Sequence, residues 1–223
     1  MTEIMISRIH FPVTTLGPGR RLGLWFQGCS IRCAGCISAD TWPMTKELTT
    51  TDKLIDALTP WLAEAEGITI SGGEPFDQPQ ALKALLQNLR DISQADILVY
   101  TGYALEDVAG WFENASHLID ALISDPYVEH APQTLALRGS DNQRLHFLTD
   151  LGRAKFTPYD RFLCHADRHL DVMFDADGSV WFAGIPMKED FRRLRETLTH
   201  NGHHIVLTLP NEEGASVSNA VLS

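Results

Sequence analysis

The 223 residues, 44% of them hydrophobic, suffice for one sizeable core and are too few for two independent domains. Against 29 acidic residues stand 18 basic ones, a formal charge of −11 with no dense lysine or arginine run, which disfavours nucleic-acid binding. No apolar run approaches the roughly 18 residues of a membrane span, the four cysteines are too few for a disulfide framework, and no charged-then-apolar leader opens the chain, so a reducing cytoplasm is the expected compartment.

In chain order, strands are predicted at residues 4–9 and 22–26, the second running into GCSIRCAGC with Cys29, Cys33 and Cys36. Leu54, Ile55, Leu58, Trp61 and Leu62 fall on one helical face. A buried strand at 67–70 leads into Ser71, Gly72, Gly73, Glu74 and Pro75, and Pro79 opens a helix whose Leu82, Leu85, Leu86 and Leu89 share a face. Further strands are expected at 97–100, before Thr101, Gly102 and Tyr103, then at 121–123, and at 144–148 after the polar run from Arg138 to Gln143. This alternation is a βα pattern. An eight-stranded barrel takes about 250 residues, so the length predicts an α/β fold built as a partial (βα) barrel, open on one side. The cysteine loop, the glycine turn and Thr101 to Tyr103 all follow strands and should gather at one rim. Beyond Thr149, strands at 169–174 and 179–183 flank an Asp-Gly turn, a helix carries Met187, Phe191, Leu194 and Leu198 on one face, and a strand follows at 205–209. The expected organisation is a core over residues 1–149, an α+β elaboration over 150–210 and a flexible tail over 211–223.

The CxxxCxxC spacing is the strongest chemical signal. Thiolates are the usual ligands of iron–sulfur clusters, and three on one loop leave the fourth iron of a cubane open. An open position is the mark of a catalytic metal site. The alternative is a zinc knuckle that recruits Cys164 or a histidine as fourth ligand. Arg20, Arg21 and Arg32 around the loop either meet an acidic partner, lower the thiol pKa values or lie solvated. In SGGEP, two residues without Cβ atoms allow close approach to the backbone, and the Glu74 carboxylate accepts from an ammonium group; an ordinary tight turn is the plainer reading. Cys164, beside His165, reads as a buried structural thiol, with a redox or hydrogen-donor group as the alternative. His165, His169, His200, His203 and His204 match no metal-binding spacing.

Together these segments resemble the radical S-adenosylmethionine superfamily, and in detail its anaerobic ribonucleotide reductase activating proteins. The resemblance is carried by GPGRR, by GCSIRCAGC with Trp42 behind it, by GITISGGEP, YTGYALEDV, LIDALISDPYV and LALRGSDNQRL, over roughly residues 8–148. It implies that Cys29, Cys33 and Cys36 hold a 4Fe-4S cluster. Gly72, Gly73 and Glu74 would take the methionine end of S-adenosylmethionine, Thr101 and Tyr103 would sit near its ribose, and Arg138, Ser140 and Asn142 near the cofactor and the entry of a protein substrate. It further implies a flavodoxin or ferredoxin as electron donor and a 5'-deoxyadenosyl radical that removes hydrogen from a glycine of a partner enzyme. Gly35 stands before the third cysteine, as in these relatives, but Ile37 replaces their usual tyrosine, so an adenine contact there is apolar. Two other functions stay open: a stand-alone radical enzyme on a small molecule or peptide, like the deazaguanine synthases, whose pocket the Trp-Phe-Ala-Gly strand at 181–184 and its hairpin would cover, and a non-catalytic cluster-binding module.

Overall fold

The computed structural model describes residues 2–44, 48–167, 169–174 and 180–187, with residues 190, 193, 196, 197, 199 and 200. Its elements in chain order are β1 (Glu3–Ile4), β2 (Ile6–Val13), β3 (Arg21–Phe26), β4 (Thr49–Thr50), α1 (Thr51–Leu62), β5 (Gly67–Gly72), α2 (Pro79–Ile92), β6 (Asp96–Tyr100), α3 (Ala109–Phe112), β7 (Ala121–Ser124), β8 (Arg144–Phe147), α4 (Asp150–Phe156), β9 (Leu170–Phe174) and β10 (Val180–Gly184). The main sheet runs β2-β3-β5-β6-β7-β8. Its four central strands are parallel, while β2 and β8 pair antiparallel at the two edges. This is the expected α/β fold, a partial (βα) barrel with α+β structure after it.

Strand β3 is buried along its whole length, as a strand covered on both faces should be. Alternation along β6 sorts the core into two layers. Ile97 and Val99 face α1 and α2 and pack with Ile68, Ile70, Leu54, Leu58, Leu82, Leu85, Leu86 and Leu89. Leu98 faces the other way, with Ala121, Ile123 and Phe156 of α4. Pro79 stands in the first turn of α2, where its missing N–H is no loss.

At the end of the sheet away from the cysteines, Arg21 is fully buried and ties three strands together. Its Nη2 donates to the Ile68 carbonyl at 2.8 Å and to Asp96 Oδ1 at 2.7 Å, and its Nε donates to Thr69 Oγ1 at 2.6 Å. A Cβ on Gly67 would come within 2.0 Å of the Arg21 guanidinium, so the side-chain-free residue makes room for the ion pair. Arg21 therefore has no bearing on the thiols, and Arg20 pairs with Glu64 in solvent.

Strands β9 and β10 pair antiparallel from Leu170↔Gly184 to Phe174↔Val180, as the hairpin pattern predicts. Its turn at 175–179, Phe191, Leu194, Leu198, His203, His204, the strand expected at 205–209 and the tail at 211–223 lie outside the described residues. Among the described residues no helix is long and apolar enough to cross a membrane.

Candidate functional site

The cysteine loop leaves β3 and is fastened at its neck. The Gly28 N–H donates to the Thr41 carbonyl at 2.7 Å and the Cys29 N–H to the Trp42 carbonyl at 3.2 Å, so residues 29–41 form a closed excursion. Cys29 is buried, Cys33 and Cys36 are half-buried, and all are free thiols. The turn after β5 presses against this neck. A Cβ on Gly72 would lie 2.4 Å from the Phe26 nitrogen, and one on Gly73 2.1 Å from the Gly28 carbonyl oxygen. Without side chains there, the Gly73 N–H reaches the Phe26 carbonyl and the Glu74 N–H reaches Gly28, both at 2.8 Å. The close approach that the sequence suggests for a ligand is thus used first by the protein's own backbone.

Asp77 adds a second fastening. Its carboxylate accepts from the Ser30 N–H at 2.7 Å, from Ser30 Oγ at 2.9 Å and from the Tyr103 hydroxyl at 2.8 Å. The loop after β6 is thereby held to both the cysteine loop and the glycine turn.

Cys29, Cys33, Cys36, Gly72, Gly73, Glu74 and Thr101 line one cavity of about 430 Å3. Tyr103, Arg138, Ser140 and Asn142, also singled out by sequence, do not line it. Tyr103 is turned to Asp77 and Ser30. Arg138 is buried and paired with Asp160 at 2.7 Å, with its Nε and Nη1 lacking hydrogen-bond partners. Ser140 Oγ accepts from the Val128 N–H, and Asn142 Nδ2 donates to the Pro126 carbonyl, so both brace the connection between β7 and β8. From the same polar run, Gly139 and Gln143 reach the cavity. Cys164 is exposed, contrary to the expectation of a buried thiol, because it opens a short turn in which its N–H donates to Asp167.

Glu74 is almost fully buried and lies among three donors: Phe76 N–H at 2.9 Å, Thr101 Oγ1 at 2.8 Å and Gly102 N–H at 2.8 Å. Burial outweighs these bonds and pushes its pKa up to about 7. Burial also raises all three thiols, Cys36 to about 11. Opposing it, backbone N–H groups of Arg32 and Ile31 favour the Cys29 thiolate, that of Tyr127 the Cys33 thiolate, and Ser38 and the Trp42 indole the Cys36 thiolate.

This donor set fits an iron–sulfur cluster. Each sulfur already has a backbone N–H turned toward it. The Trp42 Nε1–H, buried without an ordinary hydrogen-bond partner, gains one in a charged Cys36 sulfur. Cys164 does not line the cavity, so a zinc knuckle there would need a fourth ligand other than that thiol.

On the far side of the cavity stand Trp25 of β3, Tyr127 and Gln133 before β8, and residues 182–187 of the C-terminal region. Tyr127 belongs to the LIDALISDPYV segment, and residues 182–184 to the strand that sequence offers as a pocket cover. Trp25 and Gln133 carry no local mark, and their proximity to the cysteines arises only when the sheet curls.

A family profile described as a 4Fe-4S single cluster domain matches residues 15–146. The anaerobic ribonucleoside-triphosphate reductase-activating protein of Salmonella typhi is 34% identical over 151 residues, covering 62% of this chain and 96% of that protein. The chain belongs to the anaerobic ribonucleoside-triphosphate reductase-activating protein family. With that family come membership of the radical S-adenosylmethionine superfamily, an iron–sulfur cofactor and an enzyme's role of the activating type. The activating protein of phage T4 is 31% identical over 60% of this chain and 88% of its own length. The pyruvate formate-lyase-activating enzyme of Staphylococcus aureus is 28% identical over 60% of this chain and 57% of its own. The crystal structure of QueE from Escherichia coli overlaps 45% of this chain and 53% of its own at a TM-score of 0.40 and 18% identity, too slight a likeness to carry an argument.

Proposed function

We propose that this activating protein removes a hydrogen atom from a backbone glycine of a partner enzyme, using S-adenosylmethionine at a 4Fe-4S cluster. The observation that carries this reading is the convergence of three free thiols, the glycine turn with Glu74, and Thr101 on one cavity. When bound, the cluster would supply one electron, drawn from a donor of flavodoxin or ferredoxin type, for reductive cleavage of the sulfonium carbon–sulfur bond, the chemistry that would let a hydrogen atom pass from the glycine Cα to the adenosyl group.

The chain's own residues bind, orient and exclude. Cys29, Cys33 and Cys36 hold three irons, releasing thiol protons that burial otherwise retains. Gly72, Gly73 and Glu74 take the methionine end. The Glu74 carboxylate accepts three bonds from the protein, and an ammonium group would compensate its burial by favouring the charged form. Thr101 and Tyr103 lie on the ribose side, with Tyr103 acting through Asp77. Arg138, Ser140 and Asn142 set the β7–β8 connection at the entry for the protein substrate. We assign residues 1–149 to the catalytic core and 150–210 to an elaboration of it. An oxygen-poor, reducing cytoplasm is the compartment this chemistry requires.

Anaerobic reconstitution tests the reading. The protein is expected to bind about four irons per chain and, with a strong reductant, to convert S-adenosylmethionine into methionine and 5'-deoxyadenosine. Mixed with a co-encoded glycyl-radical candidate, it is expected to give a doublet in the electron paramagnetic resonance spectrum. Iron binding without cleavage would leave only a cluster-binding module. Consumption of a small molecule with no partner radical would make it a stand-alone enzyme.

A further inference from the structure

Resting on the activating function above, we propose that β9, β10 and residues 185–187 form a selectivity wall for the cluster cavity. Pinned to the core by Asp171, the wall admits the side-chain-free tip of a glycine-bearing loop and excludes broader groups. The reductase-activating protein of Salmonella typhi is 96% covered by an alignment that takes in only 62% of this chain, so it has no room for an addition of this size. The addition does not hang clear of the site. Residues 182–187 line the same cavity as the three cysteines.

Three attachments hold it there. Asp171 of β9 accepts from the N–H groups of Thr14 and Thr15 at 2.6 and 3.1 Å and from their hydroxyls at 2.7 and 3.0 Å, locking the hairpin to the end of β2. Ala183 is buried against Val13, Leu16 and Trp25, and the Arg8 guanidinium stacks 4.4 Å over the Trp181 ring. On the opposite side, Gln133 Nε2 donates to the Pro186 carbonyl at 3.0 Å, joining the addition to the β7–β8 connection. The wall therefore runs from one edge of the open sheet to the other. It presents Phe182, Ile185 and Met187 to the cavity, bulky side chains that narrow the approach to the thiols. Glycine is the narrowest residue that brings a Cα hydrogen past such a lining.

The test uses the full-length, metal-free chain and two maleimides of different bulk, N-ethylmaleimide and a polyethylene-glycol maleimide, with peptide mass mapping of each cysteine. Exposed Cys164 is the internal reference. In the native sequence, N-ethylmaleimide should label Cys33 to completion, though more slowly than Cys164, whereas the bulky reagent should label Cys164 alone. That discrimination should be lost in Asp171→Ala, which acts at a distance from the cavity, and in Phe182→Ala, which keeps every anchor. Equal labelling of Cys33 and Cys164 by the bulky reagent in the native sequence overturns the wall. So does its continued exclusion from both variants when circular dichroism shows them folded. Labelling needs no S-adenosylmethionine, so a chain that discriminates by size yet forms no partner radical keeps the wall and loses the activating function.

Discussion

Three thiols and a carboxylate share one cavity, and burial raises the pKa of each. Glu74 shows the consequence most directly. Its folded pKa of about 7 lies above the ordinary 4.5, so between those values the native state binds more protons than the unfolded chain. The stability this supplies is complete below about pH 4.5 and is lost as pH rises through about 7, in total about 3 kcal/mol. Urea unfolding of the metal-free protein at pH 5 and pH 8 should show that loss, and Glu74→Gln should remove most of it. Cys33→Ala should abolish iron retention and S-adenosylmethionine cleavage together, measured by iron content and by 5'-deoxyadenosine formed. Trp42 acts more finely. Hydrogen bonds to cluster sulfurs are among the features that set reduction potential, and a donor stabilises the more negative, reduced state. Trp42→Phe, which removes the buried indole N–H facing Cys36, should lower the midpoint potential in a redox titration while leaving the iron content unchanged.

Among the elements, legibility in the sequence follows how local the signal is. Strands β3, β5, β6 and β7 were readable because buried strands of a largely parallel sheet make short apolar runs, and α2 because Leu82, Leu85, Leu86 and Leu89 keep helical spacing. The cysteine loop and the glycine turn were readable because their chemistry is contiguous. Arg21 was misread as part of the cysteine loop's charge. Its partners, Asp96 and the Ile68 carbonyl, are brought to it only by the parallel register of β3, β5 and β6. Asp77 escaped notice for the same reason, since Ser30 and Tyr103 meet it across three separate loops. The Arg21–Asp96 pair is fully buried, so removing one partner strands the other charge. Asp96→Ala should cost about 3–5 kcal/mol in chemical denaturation, with Asp96→Asn losing less because one acceptor remains.

At the scale of the whole molecule, the catalytic core and the region after it are not separable in packing. Helix α4 begins the elaboration in chain order, yet its Phe156 is fully buried against Leu98, Ala121 and Ile123. Asp160 is the ion-pair partner of Arg138, which lies in the polar run nearest the cavity. Ending the chain after Thr149 therefore uncovers one apolar face of the sheet and leaves Arg138 buried without a counter-charge. A lost Phe of this kind costs about 3–5 kcal/mol, and Arg138, itself buried, also loses the carboxylate of half-exposed Asp160. The Phe alone approaches the lower end of the stability of a small domain, about 5–15 kcal/mol. The chain ending after Thr149 should lack a cooperative urea transition and near-ultraviolet circular dichroism, whereas one ending after Asp167 retains α4 and Asp160 and should keep both. A cooperative transition in the shorter chain would show that the sheet closes its own core, leaving the later residues to act on the cavity alone.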